Sequence, residues 1–134
     1  MDERCLIVGG GTMGSGIALV AARGGYGVEI VEPLVAARER ALAYFEKETE
    51  RSGDAGVVER IAWIEAIPQS SDAVLAIEAV PERFDLKRDV FVALERAIAP
   101  DALLATNTSS LSVSALADVV GHSDRVVGLH FFNP

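Results

Sequence analysis

Residues 5–20, CLIVGGGTMGSGIALV, decide the fold of this chain. An apolar run typical of a buried strand leads directly into a glycine-rich turn, and a stretch with helical spacing follows. The turn carries the pattern G-x-G-x-x-G at Gly9, Gly11 and Gly14, and its place between a strand and a helix indicates a dinucleotide-binding loop. Gly9 allows the tight turn, Gly11 lets a pyrophosphate approach the backbone, and Gly14 lets the helix lie close to the strand. A glycine turn that binds nothing is the alternative.

A carboxylate follows at the distance that such a loop requires. Glu32 ends the second predicted strand, 18 residues after Gly14, and can accept hydrogen bonds from both hydroxyls of an adenosine ribose. The same charge would repel a 2′-phosphate, and residues 33–35 include no arginine that could bind one. The sequence therefore predicts binding of NAD rather than NADP. The N–H groups of Thr12 and Met13 at the helix start would face the phosphates. FAD uses the same fingerprint and is the second candidate.

Short apolar runs alternate with longer helical patterns along the whole chain. The runs are rich in β-branched residues, as in strands that are buried on both faces of a parallel sheet. Such alternation predicts an α/β protein with a Rossmann-type, doubly wound parallel sheet in a single domain, and a ligand crevice at the carboxyl ends of the strands. We predict strands at 5–8, 28–32, 61–64, 74–78, 103–106 and 126–130, and helices at 13–22, 34–51, 85–99 and 111–119.

The composition excludes several classes of function. A chain of 134 residues with 50% hydrophobic side chains is typical of one globular domain. The 12 Lys and Arg residues against 20 Asp and Glu give a net charge of −8, which excludes nucleic acid as the main ligand. One cysteine, Cys5, and two histidines are too few for a Cys/His metal cluster, so we expect no metal site and a core cysteine. No apolar stretch is long enough to cross a bilayer, and we expect a cytoplasmic protein.

Three later segments carry a resemblance to a known family. They are EAVPE at 78–82, NTSSL at 107–111 and LHFFNP at 129–134. Together with the glycine motif they resemble the NAD-binding domain of the L-3-hydroxyacyl-CoA dehydrogenases, including the 3-hydroxybutyryl-CoA enzymes. The resemblance implies an oxidoreductase of fatty-acid metabolism, as in β-oxidation, that oxidises 3-hydroxyacyl-CoA to 3-oxoacyl-CoA by hydride transfer to NAD. Two alternatives stay open, a regulatory NAD-sensing module without catalysis and a dehydrogenase of a related 3-hydroxy acid.

Two residues are candidates for catalysis. His130 ends the last predicted strand at the crevice, where a neutral imidazole can take the proton from a substrate hydroxyl as hydride leaves the same carbon. A strand-end histidine that binds a backbone carbonyl is the alternative, and the resemblance implies the acid/base role. Ser109 follows the fifth predicted strand, so its hydroxyl should reach the crevice. The resemblance implies that Ser109 holds the substrate oxygen and lies near the nicotinamide as a cofactor contact, whereas the residue by itself could also cap the next helix.

Four further cofactor contacts are implied by the resemblance alone. It places Glu82 and Lys87 near the nicotinamide half of NAD, and it makes Asn107 and Asn133 contacts of the cofactor. Without the resemblance, Glu82 and Lys87 are interpreted as solvated charges at the start and on the surface of a helix.

The chain departs from the family in two places. Relatives orient the histidine with a glutamate further along the chain, and a helical domain with dimer contacts and part of the acyl-CoA site follows; both would lie beyond Pro134. We therefore expect residues 1–134 to be an NAD-binding fragment that is inactive alone and forms a homodimer only through the missing domain. Relatives also insert a long helical hairpin that touches CoA after the second strand, where this chain has one helix and the turn SGDAG at 52–56.

Overall fold

The computed structural model describes residues 3–107, 110–120 and 123–129. Strands and helices alternate along these ranges as the sequence predicts. Short 3₁₀ helices at Ala55–Arg60 and Ser123–Arg125 precede the third and the sixth strand. The order and bounds of the other elements are β1 (Arg4–Val8), α1 (Thr12–Arg23), β2 (Gly27–Val31), α2 (Val35–Ser52), β3 (Ile61–Ile64), β4 (Leu75–Glu78), α3 (Phe84–Ala97), β5 (Leu103–Thr106), α4 (Ser110–Ala117) and β6 (Val126–Gly128).

The strands form one parallel sheet in the order β3-β2-β1-β4-β5-β6. On one side of β1 the sheet continues with β2 and then β3, and on the other side with β4, β5 and β6. The strand order therefore reverses between β1 and β4. Val8, the last residue of β1, pairs with Val31 of β2 and with Glu78 of β4, and the carboxyl ends of these strands are therefore level. Doubly wound sheets bind their ligands in the crevice at such a reversal. The predicted Rossmann-type fold is confirmed.

The core consists of two layers, one on each face of the sheet. Successive residues of β1 point to opposite faces, so Leu6 packs in one layer and Ile7 in the other, and both are fully buried. The layer around Ile7 is closed by α1 and α2 and includes Phe45. The layer around Leu6 is closed by α3 and includes Phe91. Burial of each phenylalanine side chain contributes about 1.5–3 kcal/mol. The strands are thus covered on both faces, as their continuous apolar runs predict.

The largest differences from the predicted bounds lie in the second half of the chain. The ends of α3 and α4 both come two residues before the predicted ones. For α3 the reason is local, because Ile98 has an extended backbone (φ −95°, ψ 160°) and Pro100 follows it closely. The sixth strand ends at 128, whereas the sequence predicts a strand up to 130. Leu129 still donates its N–H to the main-chain oxygen of Thr106 at 3.0 Å, so the chain remains beside β5 there.

The segment between β2 and β3 contains one long helix and a compact turn, as predicted. α2 ends at Ser52 and is capped by Gly53, whose left-handed backbone (φ 74°, ψ 25°) lets its N–H reach the main-chain oxygen of Thr49 at 2.8 Å. The turn is fastened to α1 by an ion pair in which Arg23 Nε lies 2.7 Å from Asp54 Oδ2. The hydrogen bond from Arg23 lowers the pKa of the Asp54 carboxyl.

Cys5 lies in the layer closed by α1 and α2, where the sequence predicts a core cysteine. It is 1% exposed. Burial disfavours the charged thiolate and raises the pKa of Cys5 to about 12. The thiol is therefore a packing group.

Two kinds of feature are absent from the described ranges. No helix in them is both long enough and apolar enough to cross a membrane. No group of three or more His, Cys, Asp or Glu residues in the same ranges is arranged to hold a metal ion.

Candidate dinucleotide-binding site

The turn between β1 and α1 requires glycine at two of its positions. Gly9 has a φ of 109°, and a Cβ atom there would lie 2.5 Å from the main-chain oxygen of Ala79. A Cβ atom at Gly14 would lie 1.7 Å from the main-chain oxygen of Gly9, so α1 could not start this close to β1. The geometry thus confirms the predicted tight turn and the predicted close packing of helix on strand.

Gly11 and the start of α1 form the open side of this turn. A Cβ atom at Gly11 would meet no atom within 4 Å, so the backbone there faces free space. No side chain of the described residues caps α1; Ser15 instead donates its hydroxyl to the main-chain oxygen of Gly11 at 2.7 Å. The first N–H groups of the helix, at Thr12 and Met13, therefore stand at the positive end of the helix dipole without a side-chain partner, which suits an anionic ligand.

Glu32 lies directly after β2 and beside the glycine turn. One oxygen of its carboxylate accepts the N–H of Gly10 at 2.9 Å, and the other accepts the N–H of Leu34 at 3.1 Å. The residue is 9% exposed, so the carboxylate has a defined position at the edge of the crevice. A carboxylate has about four acceptor sites, and two backbone donors leave capacity for the hydroxyls of a ribose.

Gly10 is closed in by two side chains, which the sequence pattern does not indicate. A Cβ atom there would lie 3.0 Å from Glu32 Cβ and 3.0 Å from Cζ3 of Trp63. Trp63, the single tryptophan of the chain, packs against Phe45 with a distance of 6.4 Å between ring centroids. Its indole therefore lies next to the glycine turn and can report ligand binding through its fluorescence.

Arg38 lies beside Glu32, although it is six residues further along the chain. Residues 33–35 contain no arginine, but the first turn of α2 brings Arg38 back, and its Nε donates to the main-chain oxygen of Glu32 at 2.7 Å. Its Nη2 lies 4.0 Å from Glu65 Oε1 and is buried without a hydrogen bond among the described residues. Residues 33–35 contain no arginine, as the prediction states, and Arg38 lies beside the main chain of Glu32 from further along the chain. The carboxylate of Glu32 would repel a 2′-phosphate in this position.

A second cluster of charges stands at the carboxyl end of β4. Glu78 is the last residue of β4 and is 0% exposed. One carboxylate oxygen accepts the hydroxyl of Thr106. The other oxygen accepts the N–H of Val80 at 2.8 Å and lies 2.7 Å from Lys87 Nζ. The same Nζ lies 3.0 Å from Glu82 Oε1, so one ammonium bridges two carboxylates.

Lys87 is not the solvated helix-surface charge that its position suggests. The residue is 1% exposed, because the first turn of α3 lies against the end of β4 and directs this side chain at Glu78. The side chain of Glu82 remains 66% exposed. Glu78 was not among the predicted site residues. Its signal in the sequence is a carboxylate at the end of an apolar strand, the same feature that identifies Glu32.

Three predicted site residues, Ser109, His130 and Asn133, lie outside the described residues. Asn107 is described and follows β5, where its N–H donates to the main-chain oxygen of Glu78 at 3.1 Å. The structure thus brings the described site residues to the carboxyl edge of the sheet in two groups. The first group is Gly9, Gly11, Thr12, Met13, Gly14 and Glu32, and the second is Glu82, Lys87 and Asn107.

Comparison with known proteins gives one consistent result. Residues 4–134 match the family described as 3-hydroxyacyl-CoA dehydrogenase, NAD binding domain. The 3-hydroxybutyryl-CoA dehydrogenase of Mycobacterium tuberculosis (strain CDC 1551 / Oshkosh) is 40% identical over 146 residues, which cover 98% of this chain and 50% of the relative. The 3-hydroxyadipyl-CoA dehydrogenase of Escherichia coli (strain K12) is 36% identical over 137 residues, which cover 96% of this chain and 29% of the relative.

A solved structure agrees with these sequence matches. The crystal structure of 3-hydroxybutyryl-CoA dehydrogenase from Escherichia coli K12 superposes with a TM-score of 0.87 at 35% identity, covering 100% of this chain and 30% of that one. The fold and the glycine turn with its acid define a dinucleotide-binding domain. The chain belongs to the family of NAD-binding domains of 3-hydroxyacyl-CoA dehydrogenases, and its cofactor is NAD. It spans about half the length of the curated relatives that it matches first.

Proposed function

We propose that this chain is the cofactor-binding domain of an oxidoreductase that oxidises 3-hydroxyacyl-CoA to 3-oxoacyl-CoA with NAD. The observation that carries the proposal is the family match over residues 4–134, which includes NTSSL and LHFFNP in addition to the glycine turn. A glycine turn with an acid serves many dinucleotide-binding proteins. The two further segments add a serine after β5 and a histidine after β6, and both strands end at the crevice.

Glu32 and the glycine turn hold the adenosine half of NAD in this proposal. The Glu32 carboxylate, fixed by two backbone N–H groups, accepts the ribose hydroxyls with its remaining lone pairs. Gly11, where an added Cβ would meet no neighbour, would leave room for the pyrophosphate, and the N–H groups of Thr12 and Met13 would donate hydrogen bonds to it. The residues present therefore fit the cofactor.

The second group of residues holds the nicotinamide half. The exposed carboxylate of Glu82, fixed by Lys87, can accept ribose hydroxyls at the rim of the crevice. Asn107 and Asn133 supply amide groups that can donate and accept hydrogen bonds. NAD, when bound, supplies the acceptor for the hydride that leaves the substrate carbinol.

His130 moves the proton of the reaction. Oxidation of a carbinol to a ketone releases a hydride from carbon and a proton from oxygen, and the neutral imidazole of His130 accepts that proton. In the reverse direction the imidazolium returns it. Ser109 holds the same substrate oxygen through its hydroxyl and keeps it within reach of the base. Support for both roles comes from the family match over residues 4–134, which includes Ser109 and His130.

A regulatory NAD-sensing module is the competing interpretation. Such a module needs the glycine turn and Glu32 but neither a base nor a serine at the crevice. The relatives from Mycobacterium tuberculosis and Escherichia coli are named dehydrogenases of 3-hydroxybutyryl-CoA and 3-hydroxyadipyl-CoA, which favours catalysis and a CoA thioester over a free 3-hydroxy acid. Since those relatives are about two to three times longer, we assign the dimer contacts and part of the acyl-CoA site to sequence outside this chain.

The test is a turnover assay on the natural protein that carries this sequence. With NAD and 3-hydroxybutyryl-CoA, we expect steady formation of NADH, and with 3-hydroxyadipyl-CoA a measurable rate as well. Free 3-hydroxybutyrate is the matched control and should react far more slowly, because it lacks the thioester and the CoA that the relatives' names specify. NADH binding without oxidation of any of the three compounds would favour the regulatory module.

A further inference from the structure

We propose that Glu78 is a positioning residue for the cofactor: it holds Lys87 inside the protein and, through Lys87, fixes Glu82 where the nicotinamide half of NAD binds. The inference rests on the proposed function, since it refines how the second group of residues acts. Glu78 itself, fully buried at the end of β4, has no contact with the ligand space in this account.

The buried carboxylate of Glu78 is compensated by donors within the protein. A carboxylate without solvent is stable in a protein only when donors replace the lost water. Glu78 has three donors from three elements, the hydroxyl of Thr106 on β5, the N–H of Val80 after β4 and the ammonium of Lys87 on α3. The carboxylate therefore joins the ends of two neighbouring strands to the helix between them.

The ammonium of Lys87 is surrounded by acceptors of the protein. An ammonium group has three N–H donors and no acceptor. Lys87 Nζ has three acceptors in reach, Glu78 Oε2 at 2.7 Å, Glu82 Oε1 at 3.0 Å and the main-chain oxygen of Val80 at 3.2 Å. All of its donors are thus used within the protein. Lys87 influences the cofactor through the residues that it holds.

The turn between β4 and α3 is held by the same two buried residues, Glu78 and Lys87. Val80 is held at both of its backbone groups, because its N–H binds Glu78 and its oxygen accepts Lys87. Glu82, two residues later, is held by the same ammonium while its side chain remains 66% exposed. Of the two carboxylates that Lys87 holds, Glu78 is fully buried and Glu82 has an accessible side chain. The cluster therefore presents the carboxylate of Glu82 as a fixed acceptor after β4, whereas Glu32 provides the acceptor after β2.

The test compares NADH with ADP, which contains only the adenosine half of the cofactor. The variant E78Q/K87M removes both buried charges together, so the uncompensated charge that each single change would leave is avoided. We expect the natural protein with this double change to bind ADP as the wild type does and NADH about tenfold more weakly, the loss typical of one hydrogen bond to a charged group. Asp89→Asn, an exposed carboxylate on α3 paired with Arg88, is the control and should change neither affinity.

A cycle with Glu82 separates positioning from direct effects. Glu82→Gln in the wild type should weaken NADH binding about tenfold, whereas in the E78Q/K87M background it should add almost nothing, because the ammonium that positions Glu82 is absent there. Equal losses for NADH and ADP, or an undiminished effect of Glu82→Gln in the double variant, would overturn the inference while leaving the proposed function intact. A wild type that binds neither NADH nor ADP would instead overturn the proposed function and this inference with it.

Discussion

The carboxylate of Glu32 accepts a hydrogen bond of 2.9 Å from the main-chain N–H of Gly10, which ties the end of β2 to the glycine turn after β1. The two residues are 22 positions apart in the chain. They also limit each other's size, since a Cβ atom at Gly10 would lie 3.0 Å from Glu32 Cβ. The carboxylate is therefore fixed beside the glycine turn, and the proposed preference for NAD over NADP depends on this position.

NADH should bind at least about tenfold more tightly than NADPH, because a 2′-phosphate would face the Glu32 carboxylate and lose the hydrogen bonds that the ribose hydroxyl makes. Titration followed by the fluorescence of Trp63 measures both affinities. Glu32→Ser should weaken NADH binding and narrow the difference between the NADH and NADPH affinities. The repelling carboxylate is then gone, and the cationic side chain of Arg38 lies beside the main chain of residue 32.

Glu29→Gln provides the matched control for this prediction. Glu29 lies within β2, three residues before Glu32, and its carboxylate is paired with Arg4 at the start of β1, so its charge should not affect the ratio of the two affinities. Equal binding of NADH and NADPH by the wild type would remove the ribose role from Glu32.

The fold and half of the site follow from local sequence patterns. The glycine turn, the strand before it and Glu32 after β2 are all identified by spacing, because a turn that needs a positive φ at Gly9 and no side chain at Gly14 tolerates few alternatives. Even the short strand Ile61–Ile64 has the predicted bounds, since it pairs over its whole length with β2.

The charge cluster at β4 does not follow from the sequence. Helical periodicity marks Val90 and Leu94 as core residues, but Lys87 stands one turn earlier, beside that stripe, and its burial depends on how α3 meets the end of β4. Arg38 was missed for a similar reason, because the first turn of α2 folds it back onto Glu32. In both cases the direction of a long side chain is set by tertiary packing, which residue spacing does not encode.

A bulky residue at Gly11 should abolish NADH binding without unfolding the protein. Gly11→Leu meets no atom at its Cβ, so the free energy of unfolding should change by no more than about 0.5 kcal/mol, while the side chain occupies the path of the pyrophosphate. Thermal unfolding and NADH titration of the same samples test both statements.

Two other glycines provide the comparison for Gly11. Gly56→Leu, at a position that is equally open but far from the turn, should preserve binding and stability. Gly14→Ala should lower the free energy of unfolding by about 3 kcal/mol or more, because its Cβ would overlap the main-chain oxygen of Gly9. Retained NADH binding by Gly11→Leu would show that the turn is not the phosphate site.

The buried thiol of Cys5 should make stability fall at alkaline pH. Its pKa is raised from the ordinary value of 9.0 to about 12 in the folded protein, so above pH 9.0 the unfolded chain releases a proton that the folded one retains. The free energy of unfolding should therefore decrease between pH 9.0 and about 12, by about 1 kcal/mol per pH unit for this group. Denaturant unfolding of the wild type and Cys5→Ala measures it, and identical alkaline slopes for the two proteins would contradict the assignment.

The rate of 3-hydroxybutyryl-CoA oxidation in His130 variants tests the central claim most directly. In the natural protein, His130→Gln should reduce kcat by about 10²–10⁴-fold, the contribution of a positioned general base, while NADH binding stays unchanged. Ser109→Ala should reduce kcat by a smaller factor, because it removes one hydrogen bond to the reacting oxygen and leaves the base in place. Turnover near the wild-type level in His130→Gln, with NADH still bound, would contradict the proposed role of His130 as the base.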